Sequence, residues 1–434
     1  MREMKDSGIQ WLREYPANWN LIKIKYCLKE RVEKNNPVRT TDILSLTAKQ
    51  GVIPYDQKEG GGNKPKEDVS AYRLAYPGDI VMNSMNILSG SVGLSNYFGC
   101  VSPVYYMLRP INKSEDVRFY NYIFQSTVFQ RSLYGLGNGI LIKESGNGKL
   151  NTIRMRIPID KFGGLFIPVA PIQEQKHIAD FLDAKCAEID ALTADIQTQI
   201  DTLEQYKHSV ITEAVTKGLN PDAEMKDSGI EWIGEIPATW NIHPVYSYFG
   251  ERKNKNSLGN ENNLLSLSYG RVIRKDINAN GGLLPESFNT YNIVEADDII
   301  IRPTDLQNDK RSLRTGLVKE HGIITSAYID LCPIKHVDSR YFHYLLHAYD
   351  VMKVFYNMGN GVRQGLNYSE FSKLMVFEPS YAEQVSIANY LDKKCTEINA
   401  CIDDKQRQLE VLEEYKKSLI YEYVTGKKEV PENA

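Results

Sequence analysis

Two blocks of this sequence occur twice, while the stretches between them barely resemble each other. Residues 4–11 (MKDSGIQW) return at residues 225–232 as MKDSGIEW, and Leu203–Ser209 (LEQYKHS) returns at Leu412–Ser418 as LEEYKKS. Repeated sequence indicates repeated structure, and it constrains the fold more than any local pattern. The repeated blocks predict an internal pseudo-two-fold repeat in the structure. Because the stretches between them differ, the two halves should share one geometry and present two different surfaces.

The second repeated block predicts two long helices. Residues 174–216 and 383–425 contain no proline or glycine and carry apolar residues at heptad-like spacing, and Gly218 marks the end of the first helix. At 1.5 Å per residue each helix is about 60 Å long, so its apolar stripe needs a partner. The residues expected to pack the helix pair are Ile189, Ile196, Leu203, Val210, Ile398, Leu409, Leu412 and Leu419. The alternative is that each helix packs only on its own domain.

These patterns predict an α+β fold in which two globular mixed α/β domains are joined by two long antiparallel helices, a coiled coil. The expected boundaries are a first domain at 1–170, a first helix at 171–217, a linker and second domain at 218–380, and a second helix with a tail at 381–434. Matching strand signals at Asp79–Met82 and Asp298–Ile301 indicate that the two domains share a scaffold.

The composition is that of a soluble globular protein, with 42% hydrophobic and 25% charged residues. We expect a cytoplasmic protein with no membrane partner, because there is no apolar run of about 18 residues and no secretory signal. The six cysteines form no C-x-x-C pair, so no zinc site is expected. The net charge of −3 is unevenly spread: Pro171–Thr216 is strongly acidic, and Val38–Asp160 is mildly basic.

Catalytic motifs are weak or absent, and we predict no catalytic residue and no metal ligand. The glycine-rich Tyr134–Gly139 does not open a helix after a strand, as a cofactor loop would. His343 and His347 have the spacing of a helical metal pair, but no general base lies between them. Asp222 and Glu224 are too close together for a nuclease motif. There is no P-loop for ATP.

Polar and basic loops in both inserts are the candidate binding residues, and double-stranded DNA is the expected ligand. Arginine reads guanine and asparagine or glutamine reads adenine through paired hydrogen bonds, whereas lysine and serine hold phosphates. Any one such loop is also typical of solvated surface; several in a duplicated architecture favour DNA. The candidates are Lys64, Lys66, Asn83, Ser84, Asn86, Lys143, Asn147, Lys149, Arg271, Arg274, Lys275, Arg302, Lys310, Arg311, Arg314, Arg363 and Gln364.

The repeated motifs resemble a known family. Three segments look like those of the DNA specificity subunit of type I restriction–modification systems. They are the opening M-K-D-S-G-I-x-W followed by E-x-P-x-x-W, the run E-Q-x-x-I-A-x-[FY]-L-D-x-K at Glu174–Lys185, and the linker at Val215–Ala223. The second-helix counterpart, Glu383–Lys394, matches the same run at every fixed position.

This resemblance implies two target-recognition domains, each reading one half of a bipartite, asymmetric DNA site. It implies that the helices set the spacer and dock two modification (methyltransferase) subunits, and that restriction subunits join the complex. The chain itself would bind no cofactor, because the partner subunits use S-adenosylmethionine, ATP and Mg.

Two alternatives remain open from the residues. A coiled-coil protein–protein adaptor without DNA binding predicts no salt-dependent DNA affinity, whereas neutralised phosphates give a steep salt dependence. An enzyme with an unrecognised methyltransferase or nuclease site predicts activity from this chain alone once its cofactor is supplied.

Overall fold

The computed structural model of the chain describes residues 2–47, 50–58, 64–139, 143–144, 150–151, 155–230, 233–277, 285, 287–304, 306, 313–358 and 365–431. These residues pack into two compact units. The first unit comprises Met1–Ile196 together with Arg407–Ala434, and the second comprises Gln197–Gln406. The division runs through the two long helices, so each unit contains part of both.

The first unit is built around a four-stranded antiparallel sheet in the order β4–β11–β8–β9. Its strands are β1 (Met4–Asp6), β2 (Glu14–Pro16), β3 (Asn20–Lys23), β4 (Leu28–Arg31), β5 (Leu44–Thr47), β6 (Gly51–Pro54), β7 (Arg73–Ala75), β8 (Ile80–Asn83), β9 (Val92–Leu94), β10 (Gly99–Val101), β11 (Tyr105–Pro110), β12 (Asn138–Gly139), β13 (Lys143–Glu144), β14 (Leu150–Asn151), β15 (Met155–Arg156) and β16 (Phe166–Val169).

The second unit repeats this architecture with a sheet in the order β20–β27–β24–β25. Its strands are β17 (Met225–Asp227), β18 (Glu235–Pro237), β19 (Asn241–Pro244), β20 (Phe249–Glu251), β21 (Leu265–Ser268), β22 (Arg271–Arg274), β23 (Asn292–Val294), β24 (Ile299–Ile301), β25 (Thr315–Leu317), β26 (Gly322–Ile324), β27 (Ile329–Pro333) and β28 (Met375–Glu378).

The helices follow the same repeat. They are α1 (Ile24–Cys27), α2 (Val117–Gln125), α3 (Thr127–Ser132), α4 (Ile159–Gly163), α5 (Ile172–Lys217), α6 (Ser339–Val351), α7 (Tyr368–Phe371) and α8 (Tyr381–Val424). The helices α2 and α6 begin alike, because an aspartate caps each one by accepting a hydrogen bond from the backbone N–H of an arginine two residues later.

The strand pairings confirm the internal repeat. The ladders β1–β2, β3–β16, β5–β6 and β7–β10 of the first unit are reproduced in the second by β17–β18, β19–β28, β21–β22 and β23–β26. The four-stranded sheets correspond strand for strand. The predicted fold class, mixed helix and strand with two long helices, is therefore confirmed, although the inserts differ strongly in sequence.

Segments of α5 and α8 run antiparallel within each unit. In the first unit the rings of Phe181 and Tyr423 lie 4.6 Å apart, and Lys416 Nζ lies 2.6 Å from an oxygen of Asp190. In the second unit Lys207 Nζ donates to Asn399 Oδ1 at 3.2 Å. Exposed polar pairs of this kind contribute little free energy, so the buried apolar stripe supplies most of the stabilisation.

The repeated motifs are the joints that attach each globular domain to the start of a long helix. The indole N–H of Trp19 donates to Glu174 at 2.8 Å, and that of Trp240 donates to Glu383 at 3.0 Å. Both tryptophans are buried. A charge-assisted hydrogen bond from a buried indole fixes the direction in which each helix leaves its domain.

The glutamine that follows each of these glutamates completes the joint. Gln175 accepts from the backbone N–H of Asp116 at 3.1 Å and donates to the carbonyl five residues before it at 2.9 Å. Gln384 makes the equivalent bonds at 3.0 Å, with the backbone N–H of Asp338 as its donor. Both side chains are buried, so the bonds satisfy polar groups that water does not reach.

The two ends of the chain meet in the first unit. Tyr421 near the end of α8 donates to the backbone carbonyl of Trp11 at 3.0 Å, and Arg2 Nε lies 2.9 Å from Glu429 Oε1. In the second unit the end of α5 takes the corresponding place, where Gly218 packs beside Trp240. Each opening block therefore packs against the end of a long helix.

Candidate nucleic-acid interface

The hairpin β21–β22 presents the predicted cations of the second unit. Ser268 pairs with Arg271, so Tyr269 and Gly270 form a two-residue turn, and both have positive φ (48° and 75°) as a tight hairpin turn requires. Arg271 and Lys275 are exposed. Tyr269 is 72% exposed at the tip. It is not among the polar residues predicted from the sequence, although its place before a glycine, between two short strands, is typical of a hairpin turn.

The cations of this hairpin are not equivalent. Arg274 Nε donates to Glu320 at 2.7 Å, and this contact raises the pKa of the arginine. The side chains of Arg271 and Lys275 make no hydrogen bond or ion pair with any residue the structure describes. Arg271 and Lys275 are therefore the better placed of the three to bind an anionic ligand.

The first unit places fewer of its candidates on the surface. Lys64 and Lys66 are exposed, and among the described residues their ammonium groups have no ion-pair partner. Asn86 is exposed in the turn that follows β8. In the second unit Arg302 is likewise exposed, directly after β24.

Three candidates are buried, and the prediction that they contact DNA is corrected here. The hydroxyl of Ser84 donates to the carbonyl of Val104 at 2.7 Å, and Asn83 Oδ1 accepts from the N–H of Met85 at 3.0 Å. The guanidinium of Arg314, which is 5% exposed, donates to the carbonyl of Arg302 at 3.2 Å. These polar groups satisfy backbone at strand ends inside the domain, so their side chains do not reach a ligand at the surface.

The remaining loop candidates lie outside the described residues. They are Asn147, Lys149, Lys310, Arg311, Arg363, Gln364 and the side chain of Lys143, whose backbone belongs to β13.

The predicted helix-packing residues line the interiors of both units. Ile189 and Leu419 belong to the hydrophobic core of the first unit, and Val210 belongs to that of the second. The other members of the set are either buried, as are Ile196 and Ile398, or half-buried, as are Leu203, Leu409 and Leu412. The cores join helix residues with domain residues, so each stripe packs on its domain as well as on the other helix.

The histidine pair of α6 is half-buried in the second unit. Burial lowers the pKa of His343 to about 4 and that of His347 to about 3, so both are neutral at pH 7. The ring centroid of His347 lies 5.8 Å from that of His208 on α5. Among the described residues, no group of three or more His, Cys, Asp or Glu side chains is arranged to hold a metal ion.

The fold defines a class of protein that is already known from solved structures. A chain in a type I R-M system, solved to explain complex assembly and conformational transition, superimposes with a TM-score of 0.67 and 11% sequence identity. The match covers 95% of this chain and 99% of that chain. At this identity the likeness concerns the fold, which is the same over nearly the whole length.

Sequence comparison adds particular relatives. The putative type I restriction enzyme MjaX specificity subunit of Methanocaldococcus jannaschii is 25% identical over 373 residues, 83% of this chain and 81% of the relative. The type I restriction enzyme MjaVIII specificity subunit of the same organism is 26% identical over 234 residues, 52% of this chain and 48% of the relative. No protein-family model matches the chain. The chain is thus similar to type I specificity subunits, and the resemblance inferred from its motifs is confirmed.

The segments that the structure describes include no helix with an apolar stretch long enough to cross a membrane.

Proposed function

We propose that this chain is the DNA-recognition subunit of a type I restriction–modification complex, and that each unit reads one half of a bipartite, asymmetric site. The observation that carries the proposal is a duplicated scaffold with unlike surfaces. The likeness to specificity subunits over most of the chain supports it. The chain would supply recognition, while the chemistry would belong to other subunits.

The corresponding hairpins show how one scaffold would read two sequences. In β5–β6 the positions that pair with Thr47 and Leu44 are Gly51 and Pro54. In β21–β22 the equivalent positions are Arg271 and Arg274. Because an arginine such as Arg271 can read guanine whereas glycine and proline offer no side-chain donor, the two hairpins would present different groups to the bases. Unlike half-sites and a non-palindromic target follow.

The long helices suit two further roles in this proposal. Their acidic surfaces are better suited to protein partners than to phosphates, and the repeat offers two equivalent docking places for two modification subunits. Those subunits would bind S-adenosylmethionine, and restriction subunits would use ATP and Mg. The continuous helices would also fix the spacer between half-sites, because half-site spacing is geometric.

Salt-dependent DNA binding tests the proposal. The full chain, purified with its modification subunit, is titrated with duplex DNA at salt concentrations between about 50 and 200 mM. We expect the logarithm of the affinity to fall linearly with the logarithm of salt. The adaptor alternative predicts an intact complex that shows no salt-dependent affinity, and that result would exclude the recognition role.

The hairpin offers a residue-level test with a matched control. Replacing Arg271 and Lys275 with alanine removes two positive charges, and we expect weaker binding that is restricted to one half-site. The control replaces Lys373 and Lys393, two exposed lysines of the same unit, with the same loss of charge. Equal effects of the two variants would remove the hairpin from the interface.

A further inference from the structure

A cleft beside the edge strand of the first unit's sheet is lined by four cations. Its volume is about 520 Å³. Lys29 and Arg31 come from β4, Arg109 from β11, and Lys113 from the turn that follows β11. Two acidic side chains also line it, so the cleft is positively charged overall. None of these four residues belongs to the polar loops that sequence analysis selected.

The guanidinium groups of Arg31 and Arg109 are held by a buried carboxylate and an aromatic ring. Asp79 is fully buried and forms an ion pair with Arg109, and its Oδ2 lies 3.6 Å from Arg31 Nε. The ring of Tyr76 lies 4.3 Å from Arg31 Cζ and 5.7 Å from Arg109 Cζ. A buried carboxylate and an aromatic face hold these cations in one orientation, so little side-chain entropy is lost when an anion binds.

Among the residues that the structure describes, the two lysines form no ion pair that would hold them to the sheet. Lys29 lies directly opposite Arg109 in the antiparallel ladder of β4 and β11. Like charges at opposite positions destabilise a sheet. Lys29 and Lys113 are exposed, and neither forms an ion pair with any described residue. The fold therefore tolerates an unfavourable pair of charges here, which favours a role in binding.

The acidic residues of the cleft are engaged elsewhere. Glu30 Oε1 lies 2.5 Å from Arg73 Nη1, and Glu115 accepts a hydrogen bond from the hydroxyl of Tyr120 at 2.9 Å. These contacts hold the carboxylates on their own partners. The two lysines are thus left to face the cleft without an ion-pair partner among the described residues, whereas Asp79 pairs with both arginines and Glu33 pairs with Arg31.

The second unit keeps the buried aspartate and one arginine partner, but it has no cation at the ladder positions of Lys29 and Arg109. Arg252 holds the buried Asp298 through its Nε at 2.8 Å, as Arg31 and Arg109 hold Asp79. The ladder positions of Lys29 and Arg109 are taken by Gly250 and Cys332. The buried ion pair therefore belongs to the shared scaffold, whereas the cation cleft is specific to the first unit.

We propose that this cleft binds phosphate groups of the DNA backbone, with Lys29 and Lys113 contacting phosphate oxygens beside the fixed guanidinium groups. The inference rests on the proposed function and deepens it: the first unit, which has Gly51 and Pro54 at the hairpin positions that carry arginines in the second unit, would gain non-specific affinity from this cleft. The phosphodiester is recognised by charge and position, so the contact would carry no sequence information.

The test replaces Lys29 and Lys113 with alanine in the full chain, in complex with its modification subunit. The arginines are left in place, because their loss would leave the buried Asp79 unpaired. Each phosphate contact contributes about 0.9 to the slope of log affinity against log salt. We expect the slope to fall by about 1.8, and the affinity at about 0.1 M salt to fall roughly 60-fold relative to the chain with both lysines.

The control removes the same charge by replacing Lys25 and Lys373, which are exposed on the globular domains and lie outside the long helices. If both variants alter the salt slope equally, the cleft is not a phosphate site and the proposal is overturned. If the unaltered complex shows no DNA affinity at all, the proposed function has failed instead. A competition with inorganic phosphate distinguishes a site for DNA phosphates from a site for free phosphate. If phosphate displaces DNA only at the ionic strength at which any other salt does so, the cleft binds the DNA backbone. If phosphate displaces DNA specifically at low concentration, the cleft is a free-phosphate site and the proposal is overturned.

Discussion

A buried carboxylate in the second unit gives a sharp prediction about stability and pH. Asp330 on β27 is 1% exposed, and neither of its oxygens has a hydrogen-bond partner among the described residues. It pairs with Ile300 in the sheet, where Met107 pairs with Val81 in the first unit. Burial, and then the charge of Asp298, raise the pKa of Asp330 to about 8 from an ordinary 3.8.

The sign of the effect follows from the raised value. The folded protein holds the proton of Asp330 and the unfolded chain releases it, so the protonated form stabilises the fold at low pH. This stability is fully present below pH 3.8 and is lost as pH rises through about 8. Between pH 6 and pH 8 the loss amounts to about 2 kcal/mol, since one unit of pKa difference corresponds to about 1.4 kcal/mol.

Replacing Asp330 with methionine, the residue of the first unit at this position, should remove the pH-dependent contribution. Urea unfolding at pH 6 and at pH 8 gives the free energy of unfolding. We expect the difference in unfolding free energy, variant minus original, to increase by about 2 kcal/mol between the two pH values. The exposed Asp68, replaced by asparagine, serves as the control and should leave the pH dependence unchanged. Identical pH dependence with Asp330 and with methionine would refute the reasoning.

Three further predictions test the joints, the duplicated ladders and the helix pair. Replacing Gln384 with methionine should destabilise the second unit by about 2–3 kcal/mol in urea unfolding, because two buried backbone partners lose their hydrogen bonds. An unchanged urea midpoint would contradict the stabilising role of these two hydrogen bonds. Gly322→Ala should lower the melting temperature, because the new Cβ would lie 2.5 Å from the carbonyl oxygen of Asn263. An unchanged melting temperature would mean that the backbone at Gly322 and at Asn263 can move apart without loss of stability. Ile398→Asp should disrupt the helix pair by burying an unpaired charge, with loss of helical circular dichroism on mild heating, and full retention would place that side chain outside the seam.

Much of the fold was predictable because the information was local or duplicated. Heptad spacing indicated both long helices, and strand signals at Asp79–Met82 and Asp298–Ile301 correspond to β8 and β24. The duplicated blocks predicted the repeat. The sequence shows that a Glu-Gln pair is repeated but not why. The structure gives the reason: the glutamate accepts a hydrogen bond from the indole of Trp19, and Gln175 bonds two backbone groups.

The candidate interface was harder to predict, because burial and register decide it. Ser84 and Arg314 look like loop residues in the sequence, but tertiary packing places both in the interior. Lys29 and Arg109 are distant in sequence and lie on strands, so a search of loops passes over them; only the ladder register makes them neighbours. The raised pKa of Asp330 likewise has no sequence signal, since its burial depends on the sheet around it.

Methylome sequencing tests the central claim most directly. Cells that express this chain with its modification subunit are compared by single-molecule sequencing with cells that lack only this chain. We predict methyladenine in one split, asymmetric motif that disappears when the chain is absent, and the motif would define both half-sites. A methylome that does not depend on the chain, while the purified complex still assembles, would contradict the recognition role and favour the adaptor.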